Sequence, residues 1–135
     1  MITDDAGIRS ILALSKTIAV VGASPNPWRD SGSIALYLVG KKYTIYPVNP
    51  KYKDVLGLTC YPDLASIPEK IDIVDIFRNS NEVEPVVDEA VTIGAKCVWM
   101  QLGVINEQAA VKAESAGLKV VMDRCIAIEH RALMR

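Results

Sequence analysis

Residues 17–33, TIAVVGASPNPWRDSGS, limit what this chain can fold into more than any other stretch. Ile18, Ala19, Val20 and Val21 form a short continuous apolar run, the pattern of a strand buried on both faces in a parallel sheet. Gly22 ends the run; lacking a Cβ, it lets the chain turn sharply and lets a ligand approach the backbone. Ala23 and Ser24 keep the next positions small, and Pro25 and Pro27 stiffen the loop. Asp30, Ser31 or Ser33 is placed to cap a helix that begins near Ser31. A strand, a small-residue turn and a helix N-terminus together aim unpaired N–H groups and the positive end of a helix dipole at one place. The expected guest is a nucleotide diphosphate. The alternative is a merely structural turn, because the series from Gly22 reads G-A-S-P-N-P and keeps only the first glycine of the dinucleotide pattern G-x-G-x-x-G.

The rest of the chain supports such a strand. At 135 residues it suits one domain, residues 1–135, with room for a core that needs no disulfide or metal. A net charge of −1 with no Lys/Arg cluster argues against nucleic acid, which requires a basic face. No run of about 18 apolar residues is present to span a membrane and no signal pattern opens the chain, so a cytoplasmic protein is expected. Cys60, Cys97 and Cys125 are odd in number and widely spaced, which reads as reduced thiols. A monomer or a symmetric dimer is expected at this size.

Apolar periodicity and capping residues then alternate along the chain. A helix over Asp4–Leu14 is expected as a lid across the sheet end, followed by the strand Ile18–Val21 and a helix stopping near Gly40. Tyr43–Val48 is a second strand, ended by Asn49-Pro50, and a short strand about Leu58–Tyr61 and one helical turn at Asp63–Ile67 follow. Ile71–Phe77 is a third strand, and Asn79, Ser80 or Asn81 caps a helix running to Ile93 with Pro85 in its first turn. Lys96–Leu102 is a fourth strand, Asn106 caps the helix Glu107–Ala116, Leu118–Met122 is a fifth strand and Cys125–Leu133 a last helix. The alternation predicts an α/β fold, a three-layer, doubly wound, Rossmann-like parallel sheet of about five strands in the order 3-2-1-4-5. The loops after the strands, Gly22–Pro27, Asn49-Pro50, Phe77–Asn79, Gln101–Gly103 and Asp123–Cys125, should line one rim.

That rim suits a phosphorylated nucleotide. NAD folds usually end the second strand in Asp or Glu, whereas this strand ends in Asn49 and Pro50, with Lys51 or Lys53 close enough to attract a ribose phosphate. Coenzyme A carries such a phosphate at the 3′ position; NADP, with a 2′-phosphate, remains open. Arg78 can pair with a phosphate or with Asp72 and Asp75, and Arg29 and Arg124 can reach a diphosphate or stay solvated. Trp28 is expected to pack on the domain, and Phe77 and Trp99 around the sheet end.

Catalytic machinery is sparse. The single histidine, His130, would lie about 140° around the last helix from Cys125, and reads as a surface residue complementing the helix C-terminus. Cys125 can be a thiol at a helix start or simply a small buried residue. No metal motif is present in the sequence.

Five phrases coincide in order: VVGASPNP at 20–27, YPVNP at 46–50, DIVDIFR at 72–78, VWMQLG at 98–103 and AGL…VVMDRCIAIEH from 116 to 130. Together they resemble the small stand-alone proteins of the CoA-binding domain family, similar in fold to the nucleotide-binding domain of the succinyl-CoA synthetase alpha subunit. The resemblance implies a Rossmann-like domain that binds coenzyme A or an acyl-CoA. By position it implies binding elements at Gly22, Ala23, Ser24 and Pro25, at Val48, Asn49 and Pro50, at Phe77 and Arg78, at Gln101 and Gly103, and at Arg124 and Cys125. With Arg29, Ser31 and Lys51 from the residues themselves, these make the expected ligand site. The synthetase's phosphorylated histidine belongs to a second domain, and His130 is not its equivalent. A binding module without a reaction of its own is therefore the expectation, against an NAD(P)-dependent oxidoreductase or a metabolite-sensing interaction domain.

Overall fold

The computed structural model describes residues 1–134. Helix α1 (Asp5–Leu14) precedes strand β1 (Thr17–Val21), helix α2 (Asp30–Gly40) and strand β2 (Thr44–Val48). A small antiparallel hairpin, β3 (Asp54–Val55) and β4 (Leu58–Thr59), and a helical turn at Leu64–Ser66 lead to β5 (Ile73–Ile76). A further turn at Ser80–Glu82 runs into α3 (Val83–Thr92), then β6 (Cys97–Met100), α4 (Glu107–Ser115), β7 (Lys119–Val121) and α5 (Ile126–Leu133). No helix among the described residues is long and apolar enough to cross a membrane.

The five long strands pair in parallel in the order β2-β1-β5-β6-β7. Apart from Thr17 at the start of β1 and Asp75 in β5, the central strands are apolar on both sides because helices cover both faces. On one face Val83, Val86 and Val87 of α3 and the alanines 109, 110 and 113 of α4 meet Ala19, Val21, Val74, Ile76, Val98 and Val120. On the other, Ile8, Ile11 and Leu12 of α1, Leu38 of α2 and Ile126 of α5 meet Ile18, Val20, Ile73, Trp99 and Val121. Helix α1 is thus part of a face layer, where its apolar stripe finds cover, and not the expected lid across the sheet end.

The strand order differs from the expected 3-2-1-4-5. The third long strand lies beside the first, giving 2-1-3-4-5, and β2 is an edge strand. Pro47 explains why: it has no N–H to give a further full strand, and proline in a sheet belongs at an edge. The outer side of β2 instead receives one turn of chain, where the amide of Tyr61 donates to the Pro47 carbonyl at 2.9 Å and that of Asn49 to the Tyr61 carbonyl at 2.9 Å. The switch point, where connections leave in opposite directions, therefore falls between β1 and β5.

Among the described residues, side-chain caps mark the starts of two of the five α-helices. Asp4 and Asn106 accept from the amides of Gly7 and Ala109 and cap α1 and α4. At α2 the helix starts one residue earlier than expected, so Asp30 lies in its first turn, and Arg29 in the cap position supplies no side-chain bond. Glu82 precedes α3, likewise without a side-chain cap. His130, expected at the surface, is buried: its Nδ1 lies 2.9 Å from the Tyr37 hydroxyl, and its ring stands edge-on to Tyr37 and Tyr43. Two tyrosines from distant elements outweigh the helix-end preference that suggested exposure.

Candidate functional site

The turn after β1 is built from backbone. The amides of Gly22 and Ala23 donate to the Val48 carbonyl at 2.9 and 3.3 Å, folding the turn over the end of β2. Gly22 has φ +87°, and a Cβ there would run into the Phe77 carbonyl, so only glycine lets the loops after β1 and β5 meet. The Ser24 amide donates to Ser31 Oγ at 3.1 Å, and Ser24 Oγ accepts from the Asn26 amide at 3.1 Å. Gly32 packs so closely under the Asn26 carbonyl that a side chain there would collide with it. The loop is thereby pinned onto the start of α2, whose first-turn amides have no partner inside the helix and no capping side chain.

Gly22, Ser24, Arg29, Asp30, Ser31 and Phe77 enclose a cup of about 230 Å³ at this helix end. Asp30 and Phe77 also line a neighbouring cleft of about 610 Å³, walled by Ile34, Arg78, Asn79, Glu82, Gln101, Leu102, Val104, Cys125 and Ile128. The two hollows share residues and follow the C-terminal ends of β1, β5, β6 and β7, the place where open α/β sheets bind ligands. The cup offers helix amides and one guanidinium, a setting for a diphosphate. The cleft is longer and partly apolar, a setting for an extended organic arm.

The far wall is zipped together by three bonds. Gln101 Oε1 accepts from the Ile126 amide at 3.0 Å, Asp123 Oδ1 from the Gly103 amide at 2.7 Å, and the Trp99 indole donates to the Arg124 carbonyl at 2.8 Å. Asp123 holds a left-handed backbone, φ 59°, to make its bond.

Of the residues expected from the sequence, Gly22, Ser24, Arg29, Ser31, Phe77, Arg78, Gln101 and Cys125 come together around the two hollows. Ala23 is buried beneath the turn, while Pro25, Pro50 and Lys51 lie in the adjoining loops outside both linings. Asn49 braces the loops: its Nδ2 donates to the Ala23 carbonyl at 2.9 Å and its Oδ1 accepts from the Lys51 amide at 3.0 Å. Gly103 serves the zipped wall. Arg124 is turned away, pairing with Glu129 at 2.9 Å and donating to the Thr3 carbonyl at 3.0 Å. Asp72 and Asp75 are not partners for Arg78: Asp72 pairs with Lys96 and Asp75 is wholly buried. Trp28, expected to pack down, is 89% exposed beside the cup, and Trp99 is fully buried.

Sequence reasoning gave no ligand role to Asp30, Glu82, Ile34 or Ile128. The signal for Asp30, Ile34 and Ile128 was their place in the first turn or two of a helix that follows a rim loop, and for Glu82 its place at the end of the turn that leads into α3.

A doubly wound sheet with a strand-turn-helix cup at its switch point defines a Rossmann-like nucleotide-binding domain. The family model described as "CoA binding domain" matches residues 16–131, and the chain belongs to that family. It is 38% identical over 125 residues to the uncharacterized protein YneT of Bacillus subtilis, covering 93% of each chain. It is 31% identical over 121 residues to acetate–CoA ligase (ADP-forming) I of Archaeoglobus fulgidus, where the match covers 82% of this chain but 18% of the ligase. Among solved structures it matches a hypothetical protein from Pyrococcus horikoshii with 45% identity and a TM-score of 0.96, covering 98% of this chain and 94% of that one.

Proposed function

We propose that this chain, as one domain over residues 1–135, binds coenzyme A or an acyl-CoA without carrying out a reaction itself. The observation that carries the reading is the pair of joined hollows: a cup on the open N-terminus of α2 for the diphosphate, and a cleft leading from it for the thiol arm. The adenosine end then lies over the end of β2, where Lys51 and Lys53 supply charge for the 3′-phosphate. Asn49 fills the place of the carboxylate that would hold an NAD ribose, and both of its side-chain groups are already engaged. The binding-only reading is supported by His130, which sits against Tyr37 and Tyr43 and not beside Cys125, so the cleft thiol has no imidazole base.

Melting temperature measured against coenzyme A, acetyl-CoA, 3′-dephospho-CoA, NAD, NADP and ATP tests this. A ligand at a hundred times its Kd adds about 2.7 kcal/mol, a rise of several degrees for a domain this size. A rise with coenzyme A that shrinks with 3′-dephospho-CoA and vanishes with NAD is expected. A rise with NAD or NADP alone would replace the reading with a nicotinamide-binding one.

A further inference from the structure

Gln101 directly follows β6 and is only 5% exposed, yet half of its carboxamide makes no bond within the described residues. The Ile126 amide, at the start of α5, donates to its side chain at 3.0 Å. An N–H can only meet the oxygen of a carboxamide, so this one bond fixes which way the group faces. Its Nε2 then carries two donors with no partner among the described residues, and Gln101 lines the 610 Å³ cleft. Cys125, which precedes α5, gives no side-chain cap, so the positive end of that helix adds to the same spot.

These donors open onto the cleft, and a ligand acceptor there completes the hydrogen bonding that the protein leaves unfilled. We propose that Gln101 reads a carbonyl oxygen on the thiol arm of the ligand, through Nε2, while its own oxygen holds α5 in place. The proposal rests on the coenzyme A reading above. Position fits: Gln101 lies two strands from β1, about 10 Å at the usual strand spacing, so a ligand with its diphosphate in the cup must send an arm past it. That arm carries amide carbonyls in coenzyme A and one more, the thioester carbonyl, in an acyl-CoA. Both present the same acceptor chemistry.

Gln101→Glu separates the ligand role from the structural one. It keeps an oxygen for the Ile126 amide and nearly the same shape, but replaces the donors with a second acceptor. Affinities for coenzyme A, acetyl-CoA and adenosine 3′,5′-bisphosphate, which lacks the arm, are measured by calorimetry beside melting temperatures. The expected result is a lowered melting temperature in the absence of ligand, because a carboxylate is unfavourable at so buried a position, a bisphosphate affinity reduced no more than severalfold by the added charge, and a loss at least about tenfold greater for the arm-bearing ligands. Equal loss for coenzyme A and acetyl-CoA assigns an amide carbonyl; loss for acetyl-CoA alone assigns the thioester. Equal affinities of variant and wild type for all three, or an equal loss that includes the bisphosphate, would overturn the proposal. In the wild-type protein the Gln101 side-chain NH₂ resonances should shift on adding coenzyme A but not the bisphosphate, and their failure to move would overturn it even if the variant does not fold. A wild type that ignores coenzyme A would defeat the underlying reading instead.

Discussion

The backbone of Gly22 passes directly beneath the carbonyl of Phe77, with no room between them for a β-carbon. Two loops from neighbouring strands meet there at the switch point, and one forms the cup while the other opens the cleft. Gly22→Ala adds a methyl against that carbonyl at φ +87°, where an L side chain is strained. Left-handed strain alone is about 1 kcal/mol, and separating the loops adds to it. The melting temperature should fall by several degrees and coenzyme A affinity by at least tenfold. A variant that binds as tightly as wild type would show that the meeting of these loops does not shape the site.

Asp30 and Arg78 should act in opposite directions. Both line the cleft, Asp30 also lines the cup, and a carboxylate near a diphosphate opposes it while a guanidinium attracts it. Asp30→Asn should tighten coenzyme A binding severalfold, and Arg78→Ala should weaken it about tenfold, both effects shrinking between 50 and 500 mM salt. Calorimetry at the two salt concentrations checks this.

Asp75 is fully buried in the middle of β5, between Val20 and Trp99, and neither carboxylate oxygen has a hydrogen-bond partner. Burial raises its pKa well above the ordinary carboxylate range. Since the folded state holds the proton more tightly than the unfolded state, its contribution to stability is fully present below about pH 4 and is lost as pH rises through the folded pKa. Against Asp75→Asn, the wild-type melting temperature should fall progressively behind above pH 4, the difference being constant below it. Parallel curves across the range would contradict the assignment.

His130 should show the opposite dependence. Burial, with the Lys41 charge adding to it, lowers its pKa. The stability tied to the neutral ring is present above the unfolded value of about 6.5 and is lost as pH falls through the folded pKa. His130→Phe, which keeps a ring against Tyr37 and Tyr43, should remove this part of the acid decline when melting is followed from pH 8 to pH 5.

The alternation of strands and helices was legible because each strand is a short apolar run and several helices begin at a side chain that accepts a backbone N–H, as Asp4 and Asn106 do. The rim followed from that alternation, which is why Gly22, Ser24, Phe77, Arg78, Gln101 and Cys125 meet. What depended on long-range partners was not legible. Arg124 is taken by Glu129 and Thr3, Asn49 by Ala23, and His130 by Tyr37, and none of these pairings has a local signature. Pro47 did carry the clue to the strand order, as the residue that keeps β2 at an edge, but a proline inside a short apolar strand is easily outweighed by the residues around it.

The most direct test of the account is a calorimetric titration of coenzyme A into the wild type and Ser24→Asp. The aspartate can still accept from the Asn26 amide but sets a negative charge in the cup that is assigned to the diphosphate. Saturable one-to-one binding by the wild type, with a loss of at least tenfold in a variant that melts at a similar temperature, is the predicted result. Equal binding by both proteins would place the ligand elsewhere, and no binding by the wild type would contradict the account at its centre.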